Sequence, residues 1–198
     1  MINNIPSKKN KLKKDVLIVS APSGAGKSTI VSHLLKEYDI FDFSISATSR
    51  KPRGEEVHGK EYFFLSEEEF KKGIEEDRFV EYEEVYPGLF YGTLRSEVDR
   101  IWKSNKVIVF DIDVMGGMNL RKLYAQRALS LFIAPPSIEV LRERLINRKT
   151  DTPEAIEKRV AKAEKELAYA ANFDKLLVND RLEDAFSEAD KFIEENYL

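Results

Sequence analysis

Short runs of apolar positions, separated by longer stretches with helical spacing, set out the plan of this chain. The runs are 16–20 (VLIVS), 43–47 (FSISA), 106–111 (KVIVFD), 129–133 (LSLFI) and 175–178 (KLLV). Runs this short, rich in Val, Ile, Leu and Phe, predict strands buried on both faces. Segments between them, such as IVSHLLKEY after the first run, predict helices. Strands alternating with helices define an α/β fold, a doubly wound parallel sheet that binds ligands beyond the carboxyl ends of its strands.

Two stretches interrupt the alternation. The first, 49–98, opens on TSRKPRGEEVHGKEYFFL, rich in turn residues and aromatics, and continues into SEEEFKKGIEED. Ser66 and Glu69 have the spacing of a capping box, which makes that acidic run a helix start with a solvated face. The region reads as an inserted β-rich lobe. The second, 137–171, repeats Ile138, Leu141 and Leu145 at helical spacing and turns at 150–153 into another helix, forming a hairpin that carries Arg142, Arg144, Arg148 and Arg159. The expected layout is a flexible basic tail (1–14), a core (15–48, 99–136 and 172–198), the β-rich lobe (49–98) and a helical lid (137–171).

Directly after the first run stands Ala21-Pro22-Ser23-Gly24-Ala25-Gly26-Lys27-Ser28-Thr29. It follows the phosphate-loop pattern G-x-x-x-x-G-K-[ST] except at its first position, which is Ala21. Alanine is tolerated there unless the backbone needs a positive φ or a contact closer than a methyl allows. Gly24 and Gly26 let the amides curl around an anion at the helix start. Lys27 would lie along the β- and γ-phosphates of a nucleotide, and the Ser28 hydroxyl would face Mg²⁺. The run VIVFDID adds Asp111 and Asp113, two apart on a strand and so expected on one face, with Asp111 a metal partner through water. Together with Arg50 and Arg53 and the hairpin arginines, these groups suit phosphoryl transfer between two phosphorylated molecules, where positioning and charge neutralisation do most of the catalysis.

Composition narrows the choice. With 198 residues, 42% hydrophobic and 34% charged, the chain reads as one soluble globular domain with appendages. A net charge of −3 gives no general attraction to nucleic acid or to a membrane. There is no cysteine, which removes disulfides and thiolate metal sites and fits the cytoplasm, and His33 and His58 are too far apart for a metal site. The lysines before residue 15 precede an apolar stretch too short for a signal peptide. Whether the protein is a monomer or a homo-oligomer is undetermined by the sequence.

SAPSGAGKST, FSISATSRKPRGE with HGKEYFF behind it, FVEYEEVYPGLFYGT, VIVFDID, LFIAPPS and LAYAANFDKLLVND occur in an order that resembles the guanylate kinases, from about residue 16 to the C-terminus. The resemblance implies a nucleoside-monophosphate-binding lobe and a lid, and transfer of phosphate from ATP to GMP or dGMP with Mg²⁺, in purine nucleotide metabolism and GMP recycling. It assigns the GMP phosphate to Arg50, Arg53, Tyr62 and Tyr91. It assigns the base to Ser46, Glu81 and Thr93 with Asp113 close by, and catalysis to Lys27, Arg50, Arg144, Arg148 and Arg159. Three positions depart from the family pattern: Ala21, Met115 and Lys149. The alternative is a non-catalytic guanylate-kinase-like module that binds phosphopeptides, in which the loop lysine and lid arginines are typically degraded; here they are intact.

Overall fold

The computed structural model describes residues 14–148 and 151–198; Lys149, Thr150 and nearly all of the basic tail lie outside the described residues. Five parallel strands form the central sheet in the order β2-β7-β1-β8-β9. They are β1 (Val16–Ser20), β2 (Phe41–Phe43), β7 (Val107–Ile112), β8 (Ala128–Ala134) and β9 (Lys175–Val178). Alternate residues of β1 sort to opposite faces, as the two-residue period of a strand requires. Leu17 and Val19 pack with Val109 and Leu131 beneath α1 (Lys27–Glu37) and α7 (Leu182–Tyr197). Val16 and Ile18 pack with Ile108 and Phe110 beneath α3 (Arg95–Lys103) and α4 (Val114–Tyr124). Each face of the sheet thus has its own hydrophobic layer, which is why its strands read as unbroken apolar runs.

A second, four-stranded sheet has the order β4-β3-β6-β5, built from β3 (Ser46–Thr48), β4 (Phe63–Phe64), β5 (Phe79–Tyr86) and β6 (Leu89–Leu94). Helix α2 (Glu67–Glu75) covers it through Phe70, whose ring stacks 4.2 Å from Phe79 and 5.3 Å from Phe90. The capping box forms: Glu69 N–H donates to Ser66 Oγ at 3.1 Å and Ser66 N–H to Glu69 Oε2 at 2.7 Å.

The single strand expected over 43–47 is corrected. It is two strands in two sheets, β2 ending at Phe43 and β3 starting at Ser46. Ser44 N–H still donates to Val109 O in the central sheet. Ile45 N–H instead donates to the buried Glu97 carboxylate of α3 at 3.2 Å, and Arg100 donates to that carboxylate at 3.0 Å. A side chain thus satisfies the backbone where the chain changes sheets.

Helices α5 (Ile138–Asn147) and α6 (Pro153–Leu167) form the hairpin, packed through Leu141, Leu145, Ile156, Val160 and Ala163. Both starts are capped, by Ser137 on Val140 N–H and by Thr152 on Ala155 N–H, each at 3.3 Å. Among the described residues no helix is long and apolar enough to cross a membrane.

Candidate active site

The phosphate loop joins β1 to α1 at the carboxyl end of the central sheet. Gly24 and Gly26 both have φ 95°, a conformation open to glycine at little cost. Gly26, the N-cap of α1, has no side chain of its own to cap that end; Thr29 N–H turns back to Gly26 O at 3.2 Å, and among the described residues the Lys27 and Ser28 amides have no backbone partner, which leaves them to an anion. A Cβ on Gly26 would stand 2.2 Å from Asn179 Nδ2, which itself donates to Ala25 O at 2.8 Å. Asn179 therefore props the loop from below. Ala21 is buried and not among the residues with positive φ, so its methyl group packs into the core and the departure from glycine is accommodated.

Lys27 reaches across the end of β7, donating to Ile112 O at 2.9 Å and pairing with the Asp111 carboxylate. Ser28, one residue into the same helix, lines the same cavity as Asp111. The expectation that Asp111 and Asp113 share a strand face is corrected. Strand β7 ends at Ile112, and Asp113 is the N-cap of α4, its Oδ1 accepting from Gly116 N–H at 2.8 Å. A carboxylate just past a strand end meets the free amides of the next helix, and this geometry takes over from the strand period. Asp113 still faces the cleft.

On the small sheet, Glu81 and Glu83 of β5 stand opposite Thr93 and Tyr91 of β6, and Ser46 of β3 pairs with Thr93 from the other side. Thr93 Oγ1 donates to Glu81 Oε1 at 2.8 Å. Burial pushes the Glu81 carboxyl up to about 7, against the pull of the Thr93 hydrogen bond and with a smaller push from Asp113. Arg50 donates to both oxygens of Glu56, at 2.6 and 2.7 Å, and its guanidinium lies 4.8 Å from the Tyr62 ring centre. Glu56 also accepts from Arg53 N–H at 2.8 Å, and the Arg50 and Arg53 hydrogen bonds bring its carboxyl down to about 2. The Tyr62 and Tyr91 rings meet edge to face at 6.0 Å.

From the hairpin, Arg159 donates to Ser23 Oγ of the loop at 2.7 Å, and Arg144 donates to Asn179 O at 2.9 Å while its Nη1 is buried without a partner among the described residues. Arg148, at the C-cap of α5, is exposed and lines the cleft; Arg142 pairs with Glu157 and does not line it.

These residues surround two joined cavities of opposite character. The first, about 430 Å³, is lined by Ser46, Tyr62, Tyr91 and five carboxylates, Glu61, Glu81, Glu83, Asp111 and Asp113. The second, about 850 Å³, holds most of the loop, with Arg53, Arg144, Arg148, Lys158, Arg159 and Lys162. Lys27, Ser28, Val85, Tyr91 and Asp113 belong to both. Of the residues expected at the site, Ala25, Arg50 and Thr93 line neither, though Arg50 and Thr93 touch side chains that do. An acidic compartment suits a base rich in N–H donors, a cationic one suits a polyphosphate, and the loop lysine stands between them.

Comparison with known proteins bears directly on this arrangement. The family model described as guanylate kinase matches residues 13–196. The chain belongs to the guanylate kinase family. It is 57% identical over 180 residues to a guanylate kinase of Bacteroides fragilis, covering 91% of this chain and 88% of that one. It is 57% identical over 168 residues to one of Porphyromonas gingivalis, covering 84% and 89%. The crystal structure of guanylate kinase from Anaplasma phagocytophilum superposes with a TM-score of 0.75 at 26% identity, over 95% of this chain and 88% of that one. A shikimate kinase from Bacteroides thetaiotaomicron, at 14% identity and a TM-score of 0.50, shares the fold alone.

Sequence reasoning did not single out Glu83, Lys158, Lys162, Glu166 or Asn179 as site residues. On α6, Ala155, Lys158, Arg159, Lys162 and Glu166 all line the second cavity, and their i, i+3, i+4, i+7, i+11 spacing was the available signal. Asn179 stands in LLVND at the end of the last strand, where ligand sites of parallel sheets gather.

Proposed function

We propose that this member of the guanylate kinase family transfers the γ-phosphoryl group of ATP to GMP or dGMP, with the base held in the acidic cavity and the triphosphate in the cationic one. The meeting of the two cavities at Lys27 carries this reading. Guanine presents N1–H and the 2-amino group side by side, and an ionised Glu81 can accept from both. Adenine has an acceptor at N1 and no 2-amino group, so it meets Glu81 with the wrong polarity. Ser46, Thr93 and Asp113 complete the base end. Arg50, Arg53, Tyr62 and Tyr91 hold the GMP phosphate, Arg50 trading Glu56 for it.

The nucleophile needs no base, because a phosphate monoester with a second pKa of about 6 is mostly dianionic at neutral pH. Residues 21–29 wrap the ATP phosphates, with the Lys27 and Ser28 backbone amides at the helix start among the donors. Lys27, Arg144, Arg148 and Arg159 neutralise the charge that spreads over the transferring group. The buried Nη1 of Arg144, without a partner among the described residues, gains one when phosphate arrives. Residues 137–171 act as a lid that excludes water, and 49–98 as the GMP-binding lobe.

Ser28 and Asp111 present a hydroxyl and a carboxylate in one cavity. This hard-oxygen pair fits Mg²⁺, which keeps waters and takes phosphate oxygens for its other ligands. Bound there, Mg²⁺ would draw charge from the β- and γ-phosphate oxygens. The cysteine-free composition supports a cytoplasmic enzyme. A coupled assay with ATP and a panel of GMP, dGMP, IMP, AMP and UMP tests the reading: GMP should turn over fastest and AMP slower by orders of magnitude. Equal rates on AMP, or no transfer to GMP, would overturn it.

A further inference from the structure

Asn179 is buried between the end of β9 and the start of α7 and lines neither cavity. Three of its polar groups nevertheless reach three different parts of the cleft. Its main-chain N–H donates to the carbonyl of Ala134, the last residue of β8, at 2.8 Å. Its side-chain Nδ2 donates to Ala25 O of the phosphate loop at 2.8 Å. Its main-chain carbonyl accepts from Arg144 Nη2 of the hairpin at 2.9 Å. One buried residue thus joins the central sheet, the loop and the hairpin through direct hydrogen bonds of ordinary length.

The bond to Ala25 acts on the loop through peptide geometry. In a trans peptide the carbonyl and the following N–H point in opposite directions. With Ala25 O directed at Asn179, the Gly26 N–H points away from it, and among the described residues that N–H has no backbone acceptor. Gly26 lines the second cavity, and the unpaired Lys27 and Ser28 amides follow it. Glycine gives the peptide freedom to turn over and present its carbonyl to the anion instead; the Asn179 amide holds it the other way. Arg144 is seated from the same point. Its Nη2 is engaged with Asn179 O, while Nη1 is buried without a partner among the described residues and the side chain lines the second cavity. Helix α5 also leans on the loop, since a Cβ on Gly24 would stand 3.1 Å from the Leu145 side chain.

We propose that Asn179 is a positioning residue for phosphoryl transfer: its side chain fixes the Ala25–Gly26 peptide with the N–H toward the anion, and its carbonyl seats Arg144, so that one residue sets the spacing between the loop amides and the arginine across the transferring group. This role rests on the proposed work of the loop and Arg144 and adds the support that places them. Asn179 acts from behind both, outside the cavities that the substrates fill.

The test compares Asn179→Ala, Asn179→Ser and Asn179→Ala/Arg144→Met with the parent full-length chain, with Arg144→Met and Lys27→Ala alongside. The readouts are kcat, KM for each substrate, and calorimetric binding of inorganic pyrophosphate and of GMP. Asn179→Ala should lower kcat about 10- to 100-fold, as a misplacement of about 1 Å does. It should weaken pyrophosphate about tenfold, the scale of one lost hydrogen bond, with GMP affinity within about twofold of the parent value. Asn179→Ser keeps a hydroxyl donor at shorter reach and should recover part of both losses, remaining about threefold below the parent in pyrophosphate affinity. Because loop and arginine share one support, the double variant should fall short of the product of the single losses by about threefold or more. Parental kcat and pyrophosphate binding in Asn179→Ala, even with a lowered Tm, would overturn the role and leave Asn179 a packing residue. A serine no better than alanine, or losses that multiply independently, would overturn it as well. If Asn179→Ala does not fold, Asn179→Ser decides: weakened pyrophosphate with GMP binding kept supports the role, and both kept or both lost overturns it. If Lys27→Ala abolishes turnover while the Asn179 variants behave normally, the positioning role fails alone. If Lys27→Ala itself keeps full turnover, the phosphate-loop reading has failed.

Discussion

In the phosphate loop the proposed binding groups are backbone amides, set by two glycines at φ 95° and by Gly26, an N-cap residue without a side chain of its own. In the small sheet they are side chains already engaged with one another, Arg50 with Glu56 and Glu81 with Thr93. The loop is complete before a ligand arrives, since an anion only takes up donors that were free. On the proposed reading the sheet must exchange partners: Arg50 leaves a bidentate carboxylate, and Glu81 gives up the proton that burial favours. Preorganisation suits the step that every triphosphate shares, and exchange suits the step that distinguishes one base from another.

The division can be broken first at Lys27. Lys27→Ala should lower kcat about 10²- to 10³-fold, as removing one group that stabilises transition-state charge does elsewhere, while calorimetric GMP binding stays close to the parent value. Gly26→Ala comes next. Its Cβ would meet Asn179 at 2.2 Å and its φ of 95° suits alanine poorly. It should cost about 1–3 kcal/mol of stability in denaturant titration and weaken ATP binding, with the guanine preference unaltered.

The sheet should respond to pH where the loop does not. The Glu81 carboxyl titrates at about 7 in the free protein, above its ordinary value of 4.5. If the ionised form accepts the guanine donors, as proposed, GMP affinity should fall as pH drops below about 7, by at most about tenfold per unit, while ATP affinity carries no contribution from this group. The stability of the free protein runs the other way. A carboxyl whose pKa is raised by folding contributes stability in full below 4.5 and loses it as pH rises through about 7. The smallest effect belongs to Ala21→Gly. With Ala21 buried and free of positive φ, turnover should stay within about twofold, because no strain waits to be released.

Much of the core could be read from the sequence because its strands are buried on both faces: 16–20 and 175–178 are the observed β1 and β9 to the residue. The break between Phe43 and Ser46 could not, because FDFSISAT runs on as one apolar and polar alternation. The carboxylate that accepts the Ile45 N–H, Glu97, is far along the chain. Local chemistry marked the loop and the Ser66 capping box, whose residues are neighbours in sequence. Glu83, Lys162 and Asn179 escaped because each gains its meaning from its place in space: Glu83 and Lys162 line the two cavities from different elements, and Asn179 lies under Gly26. Asp113 was placed on the wrong element because a strand period was carried one residue past the strand's end.

The central claim is that the acidic cavity chooses the base through Glu81. It is tested most directly by the ratio of kcat/KM for GMP to that for AMP, measured side by side in the parent protein and in Glu81→Gln. Glutamine turns one acceptor toward guanine into a donor, so the ratio should collapse by about 10³- to 10⁴-fold, with the loss falling on GMP. A ratio that keeps its original value in the variant would contradict the claim and place guanine recognition elsewhere in the cleft.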